Sequence, residues 1–223
     1  MITLHHLEHS RSQRIIWLLE ELELEYQIQH YARDPDTHLA PAALLAIHPL
    51  GKAPVLTDGD AVIAESGAII EYLTDRHGGD HGLRPDPGTP EALRWTYWLH
   101  FAEGSMMPPL LVEFIFRRVR KADMPFFARP IAERIADSVE EAFVHPNLER
   151  QLAFMESELA QRDWFAGDAF SAADIQLSFP LEAAAARDWL TPEQHPRLLD
   201  WLARIHARPA YQRARERGGP YEL

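Results

Sequence analysis

Cysteine is absent from this chain of 223 residues. No disulfide can therefore stabilise the fold, and the composition is typical of a reducing compartment, so we expect a cytoplasmic location. The absence also limits the chemistry, because the protein has no thiolate of its own to act as a nucleophile or redox centre. Any thiol reaction must use a thiol that a ligand supplies.

Long apolar runs and an excess of positive charge are also missing. No run approaches the roughly 18 residues of a membrane-spanning helix, and the first residues, M-I-T-L-H-H-L, lack the basic and apolar regions of a signal peptide. Lys and Arg total 22 against 34 Asp and Glu, which gives a net charge of −12. This balance disfavours nucleic acid and anionic membrane surfaces as partners.

The most informative stretch of the sequence is 47–68. Pro54 cannot donate a ladder hydrogen bond, so we expect it at the first residue of a strand, and Asp58-Gly59 is typical of the following hairpin turn. A cis bond before Pro54 would leave the N–H and C=O of Ala53 free to pair with an extended peptide. Ser66 should begin a helix, where its hydroxyl and N–H can bind a carboxylate. The stretch therefore predicts a binding site for a small acidic peptide.

The residues before this stretch have the pattern of a βαβ unit. A strand is predicted over Ile2–Leu7, a helix over Ile15–Leu22 with Ser10 or Ser12 as its N-cap, and a second strand over Glu23–Tyr31. Strand, helix and strand in this order imply a parallel pair. With a short helix, the hairpin and a further helix, the order becomes β-α-β-α-β-β-α.

No strand pattern follows the Gly- and Pro-rich segment 78–88, which we interpret as a linker. Thr89 and Pro90 are suited to the N-cap and N1 positions of a long helix, which Met106-Met107-Pro108-Pro109 should bend or break. A second long helix is predicted over Ile131–Arg162. Its expected core residues are Ile135, Val139, Phe143, Leu152, Met155 and Leu159.

A capping motif follows these long helices. Ser171 and Asp174 have the spacing of a capping box, within the pattern W-x-x-G-D…S-x-A-D. Removing the box should cost about 1 kcal/mol, the usual magnitude for a cap. Two further helices are predicted, over Pro196–His206 and from Pro209 to about Arg217.

In their order and spacing these motifs resemble those of the soluble glutathione S-transferases, in particular bacterial members of the Ser-type, theta-like kind. The resemblance covers nearly the whole chain. It implies a thioredoxin-like α/β domain over 1–77, a linker over 78–88, and an all-α domain over 89–223 that carries an electrophile site. It also implies an enzyme of detoxification that conjugates the thiolate of glutathione to a small, largely apolar electrophile. Glutathione-dependent peroxidase or isomerase activity, and a non-catalytic binding module of the same fold, remain alternatives.

The resemblance also assigns roles in glutathione binding. Ala53-Pro54 corresponds to the cis bond that pairs with the cysteinyl backbone, and Glu65-Ser66 to the pair that holds the γ-glutamyl end. Lys52 lies where the family often places a cation for the glycyl carboxylate. His38 and Leu39 belong to a loop that commonly contacts the same end.

Catalysis requires stabilisation of the glutathione thiolate, because a free thiol has a pKa near 8.5. The first strand and turn contain no tyrosine, so a Tyr-type enzyme is not expected. In Ser-type members the catalytic serine is followed four residues later by an arginine, and Ser10 with Arg14 fits this spacing. Ser12 is the second candidate. Backbone N–H groups and the positive end of the helix remain a third possibility.

Aromatic and methionine residues on the first long helix lead to two further expectations. Those expected to contact the electrophile are Trp98, Phe101, Met106 and Met107. Aromatic groups spread over more than one face of this helix, which favours a homodimer with the α/β half of one subunit against the helical half of the other. They are Trp95, Tyr97, Trp98, Phe101 and Phe114.

No metal site is expected, because the adjacent His5 and His6 of a strand point to opposite faces.

Overall fold

A four-stranded sheet organises the N-terminal half of the computed structural model, which describes residues 1–37, 39–219 and 221, with only the backbone of Asp80. The sheet has the order β2-β1-β3-β4, with β1 and β2 parallel and the other neighbours antiparallel. Its strands are β1 (Ile2–Leu7), β2 (Tyr26–Tyr31), β3 (Val55–Asp58) and β4 (Ala61–Ala64). The thioredoxin-like arrangement is thereby confirmed.

Two helices and one short turn complete this half. They are α1 (Ser12–Glu21), α2 (Ser66–His77) and a 3-10 turn over Ala42–Ala46 between β2 and β3. The short helix predicted at this last position, over 42–47, is present as this 3-10 turn. The second strand begins three residues later than predicted, because the chain first turns through Glu23, whose φ is +52°.

The helical half follows a connection that contains a 3-10 turn at Gly79–His81. Its helices are α3 (Pro90–Phe101), α4 (Met107–Lys121), α5 (Arg129–Val139), α6 (His145–Leu159), α7 (Ala172–Ala185), α8 (Pro196–His206) and α9 (Pro209–Gly218). Thr89 caps α3 as predicted, its side chain accepting from the Ala92 N–H. Within the described ranges, no helix is both long and apolar enough to cross a membrane.

The prolines in the two long helices are accommodated by π-helical turns. One turn over Ala102–Met106 joins α3 to α4, and another over Glu140–Val144 joins α5 to α6. Pro108 and Pro146 then fall in the first turn of the helix that follows. A proline lacks the N–H that a normal helical hydrogen bond needs. The wider hydrogen bonding of a π turn before each proline lets the chain continue as a helix despite this missing donor.

α7 is the central helix of the molecule and is buried on all sides. Ser171 and Asp174 form the predicted capping box at its start. The Asp174 carboxylate also accepts from the Phe165 N–H at 3.2 Å and from Trp201 Nε1 at 3.0 Å. This fully buried side chain therefore ties the preceding loop and α8 to the start of α7.

α1 packs between the sheet and the last helix of the chain. Gln13 Nε2 donates to the carbonyl of Ala214 at 2.8 Å, and Glu20 accepts from Arg213 and Arg217 of α9 at 2.8 Å each. The approach is close at Gly218, where an added Cβ would lie 2.1 Å from the Gln13 amide oxygen. A side chain at this position would force the Gln13 amide to move, so α9 docks on α1 with little space between them.

Two residues of the expected core are on the surface. Ile135 and Phe143 are exposed, whereas Leu152, Met155 and Leu159 are buried as expected. Both exposed residues lie in α5 or the π turn after it. Helical spacing identifies side chains that share a face, and here no neighbouring element covers that face.

Candidate functional site

Four loops converge at one end of the sheet. His5 near the end of β1 pairs with Val55 at the start of β3, and Val55 pairs with Ala64 at the end of β4. β2 runs parallel to β1, so the loop after Tyr31 begins at the same end. The segments that hold Ser10, Leu39, Ala53-Pro54 and Glu65-Ser66 therefore come together.

The Ala53-Pro54 peptide bond is cis, as predicted. In the described part of the chain, neither the N–H nor the C=O of Ala53 makes a hydrogen bond to the protein. A half-buried backbone unit with both polar groups free is suited to pair with another extended backbone. Lys52 precedes it and is exposed, and no described carboxylate pairs with its ammonium group.

Among the described residues, the side chains of Glu65 and Ser66 also lack hydrogen-bond partners at this end. The Glu65 backbone lies in the left-handed region with φ +70°, which is unfavourable for a non-glycine residue. Its exposed carboxylate makes no ion pair with any described residue. Ser66 is 4% exposed and begins α2, where the first N–H groups have no intrahelical acceptor. The pair can thus offer an anion to an ammonium group and N–H donors to a carboxylate.

The residue at the N-cap of α1 is Arg11, so the prediction of Ser10 or Ser12 at this position was wrong. Both serines instead belong to a buried chain of hydrogen bonds. Ser10 Oγ is 2.7 Å from the Leu7 carbonyl and 2.7 Å from Ser12 Oγ, and Ser12 Oγ is 2.7 Å from His6 Nδ1. The N–H of Ser12 donates to Ser10 Oγ at 3.2 Å.

The direction of this chain follows from His6. Its Nε2 lies 3.0 Å from the Gly218 carbonyl, which can only accept, so Nε2 carries the hydrogen. Burial lowers the pKa of His6 to about 4, so the ring is neutral near pH 7 and Nδ1 is an acceptor. The Ser12 hydroxyl must donate to Nδ1. Ser12 is also fully buried, which leaves Ser10 as the hydroxyl with access to the surface.

Arg14 does not point toward this end of the sheet. Its guanidinium is 1% exposed, donates to the Gln176 carbonyl of α7 at 2.7 Å, and pairs with Glu103 of the first π turn. Arg11 Nε also donates to Glu103, at 3.0 and 3.1 Å from the two carboxylate oxygens. The predicted catalytic arginine thus joins α1 to the helical half.

Glu103 is the residue that the sequence reasoning missed. Burial alone would raise its pKa, but the charges of Arg14 and Arg11 outweigh burial and hold the pKa below its ordinary value. The sequence places this carboxylate between two apolar residues, Phe101 and Met106, and a charge that is buried with such neighbours needs a cationic partner. The identity of that partner depends on the packing of α1, which spacing alone does not reveal.

The residues predicted to contact an electrophile form part of the core instead. Trp98 and Met106 are fully buried, and Phe101 and Met107 are less than 10% exposed. Trp98 packs against Phe154 and Phe165, with ring centroids 5.5 and 4.7 Å away. At the glycyl end of the predicted site, Leu39 is exposed, and His38 lies outside the described residues.

Comparisons with known proteins agree with this geometry. Residues 1–75 match the family model for the glutathione S-transferase N-terminal domain, and residues 114–209 match that for the C-terminal domain. Glutathione S-transferase 1 of Saccharomyces cerevisiae is 36% identical over 97% of this chain and 95% of its own.

Solved structures give the same answer. A glutathione S-transferase from Actinobacillus pleuropneumoniae is 34% identical, with a TM-score of 0.78 over 99% of this chain and 94% of that one. A glutathione S-transferase from a sphingomonad is 25% identical, with a TM-score of 0.72 over 97% and 98% of the two chains. The chain belongs to the glutathione S-transferase family.

Proposed function

We propose that this transferase binds glutathione at the loop end of the sheet and adds its thiolate to small, largely apolar electrophiles. The observation that carries the proposal is that the Ala53 backbone, whose N–H and C=O are free, lies at the same end of the sheet as the side chains of Glu65 and Ser66, which have no described partner. The sphingomonad relative was solved in complex with glutathione. A glutathione site without a protein cysteine also agrees with chemistry that depends on the ligand's own thiol.

Each polar group of glutathione has a complementary group at this end. The γ-glutamyl carboxylate would accept from the N–H and hydroxyl of Ser66, and its ammonium would pair with Glu65. The cysteinyl backbone would pair with Ala53. The glycyl carboxylate would lie near Lys52 and Leu39. This arrangement directs the thiol toward Ser10 and the start of α1.

Replacing Glu65 with glutamine or Ser66 with alanine should weaken glutathione binding by about 1–3 kcal/mol each, because a charged ligand group loses a hydrogen-bond partner. Isothermal titration calorimetry with glutathione measures this directly. Asp60→Asn is the matched control, since it changes an exposed carboxylate in the hairpin turn at the opposite end of β4. Unchanged dissociation constants for both site variants would contradict the site.

We further propose a Ser-type, theta-like mechanism in which Ser10 is the hydroxyl donor to the thiolate. The Ser12 hydroxyl donates its single hydrogen to His6 Nδ1, so it has none left for the thiolate. Ser12 therefore positions Ser10. The Ser10 hydrogen has two neutral acceptors inside the protein, and a hydrogen bond to a charged thiolate is about twice as strong. The N–H groups at the start of α1 and the helix dipole add to the same effect.

Ser10→Ala should raise the pKa of bound glutathione by about 1–2 units, since a hydrogen bond to a charged group contributes about 1.5–3 kcal/mol. Turnover near neutral pH should fall about tenfold or more while the glutathione dissociation constant changes little. The thiolate's ultraviolet absorbance, titrated with pH, reports the change, and Ser12→Ala should have a smaller effect. An unshifted thiol pKa in Ser10→Ala would assign the stabilisation to backbone N–H groups.

The substrate class can be measured directly with the intact protein. A panel of halo-aromatic, unsaturated-carbonyl and peroxide substrates separates conjugation from peroxide reduction. Retention on immobilised glutathione, with no turnover of any of them, would indicate a binding module. Conjugation of the first two classes is the result that the proposal requires.

We also propose a cytoplasmic homodimer whose subunits have an α/β domain over 1–77, a linker over 78–88 and a helical domain over 89–223. Leu93 and Tyr97 of α3 are 74% and 47% exposed, and Val62 of β4 is 48% exposed. These apolar groups on both halves suit a two-fold contact of one half with the other. Trp95 and Trp98, which were expected to contribute, are buried within the subunit.

A further inference from the structure

The segment 114–135, which we call the α4–α5 tip, has the opposite charge to the rest of the molecule. It holds six basic and two acidic side chains, a net charge of +4. The remaining residues hold 16 basic and 32 acidic side chains, a net charge of −16. The overall acidity of the chain therefore conceals one basic region, at the turn that joins α4 to α5.

Large apolar side chains lie exposed in the same tip. Phe126 and Phe127 are 89% and 66% exposed, and their rings contact each other edge to face at 5.7 Å. Ile131, in the first turn of α5, is 62% exposed. The two adjacent phenylalanines at the turn between α4 and α5 form a contiguous exposed apolar surface, and such surfaces mark interaction sites.

The cations around this surface are available for a partner. Arg120 pairs with Asp137 and Glu140, and Arg117 pairs with Glu113. The other four have exposed side chains and form no ion pair with any carboxylate in the part of the chain that the structure describes. They are Arg118, Lys121, Arg129 and Arg134.

We propose that the α4–α5 tip docks on an anionic lipid bilayer, with Phe126 and Phe127 entering the interface and the unpaired cations lying over the headgroups. Exposed aromatic residues flanked by Lys and Arg are the combination that binds such interfaces. A bilayer needs no complementary groove on the protein. Docking would also bring the enzyme to apolar electrophiles that accumulate in lipid.

Of the acidic groups just outside the tip, Glu113, Asp137 and Glu140 are paired with Arg117 and Arg120 and so oppose this contact little. α3, the π turn and α4 follow one another without a break, and the 24 residue steps from Tyr97 to Lys121 correspond to about 36 Å of helix. Charges separated by more than about 8–10 Å are largely screened at physiological salt. About 26 Å of helix separates Phe114, where the tip begins, from Tyr97 of α3, so a dimer through α3 would leave the Phe126-Phe127 end of the tip free.

Flotation with phosphatidylcholine vesicles, with and without phosphatidylserine, tests the proposal on the full chain. The wild type should float only with the phosphatidylserine vesicles, and less at high salt. Lys121→Ala with Arg129→Ala should weaken partition by about 25-fold, about fivefold for each cation removed. Phe126→Ser with Phe127→Ser should weaken it by about tenfold or more.

Matched controls are available elsewhere on the exposed surface of the protein. Arg150→Ala with Arg197→Ala removes two exposed cations outside the tip, and Leu111→Ser removes an exposed apolar group earlier in α4. These variants should float like the wild type, and all variants should bind glutathione normally, which shows that they fold. The proposal would be overturned if the wild type did not float, or if it floated equally well with phosphatidylcholine vesicles that lack phosphatidylserine. Unchanged flotation of the tip variants would also overturn it. So would a halved sedimenting mass for Phe126→Ser with Phe127→Ser, since the tip would then join two copies of the chain.

Discussion

Replacing Asp174 with alanine is expected to lower the free energy of unfolding by at least about 3 kcal/mol. The carboxylate is fully buried and accepts from the N–H and hydroxyl of Ser171, the N–H of Phe165 and the indole of Trp201. Removing it leaves several buried donors without an acceptor, each at a cost of about 1–3 kcal/mol. The effect should therefore exceed the roughly 1 kcal/mol of an ordinary cap.

Urea unfolding of the two variants Asp174→Ala and Ser171→Ala measures the difference. Ser171→Ala is the matched control, because it removes the capping hydroxyl and leaves the carboxylate with its other donors. It should cost only about 1 kcal/mol. Equal losses in the two variants would mean that Asp174 acts as a cap and no more.

The second large effect is expected at the contact between Arg14 and Glu103, and it should be asymmetric. Glu103→Gln leaves the guanidinium of Arg14, which is 1% exposed, buried without its anion, and should cost about 3 kcal/mol. Arg14→Met should cost less, about 1–2 kcal/mol, because Glu103 is 34% exposed and keeps its bond to Arg11.

A double-mutant cycle in urea tests this asymmetry. The Arg14→Met, Glu103→Gln double variant should lose less stability than the sum of the single losses, since the buried charge and its partner leave together. Asp75→Asn is the control, because its ion pair with Arg84 is on the surface and should contribute less than about 1 kcal/mol. A larger loss for Arg14→Met than for Glu103→Gln would contradict the assignment.

Local signals in the sequence predicted much of the fold. Asp58-Gly59, Thr89-Pro90 and the Ser171–Asp174 box each act within a few residues, and the structure has the expected hairpin, helix start and capping box at all three. The convergence of Ala53-Pro54 with Glu65-Ser66 could also be anticipated, because the strand order and the hairpin together determine which loops meet.

Features that depend on distant packing could not be predicted. Ile135 and Trp98 each belong to a row of apolar residues at helical spacing, yet Ile135 is exposed and Trp98 is buried. Spacing does not show which face of a helix a neighbouring element covers. Arg14 was assigned to catalysis from its distance to Ser10 along the chain. Its side chain instead binds Glu103, which is 89 residues away in sequence.

The bond between His6 and Gly218 joins residues that are 212 positions apart. During synthesis the N-terminal part of a chain leaves the ribosome first. The sheet and α1 can form early, but α1 remains without its α9 partner and the Ser10 hydroxyl chain without its anchor until the last helix emerges. The N-terminal half is therefore incomplete until the last helix packs on α1, and the turn at Ser10 reaches its final form only when the whole chain has been made.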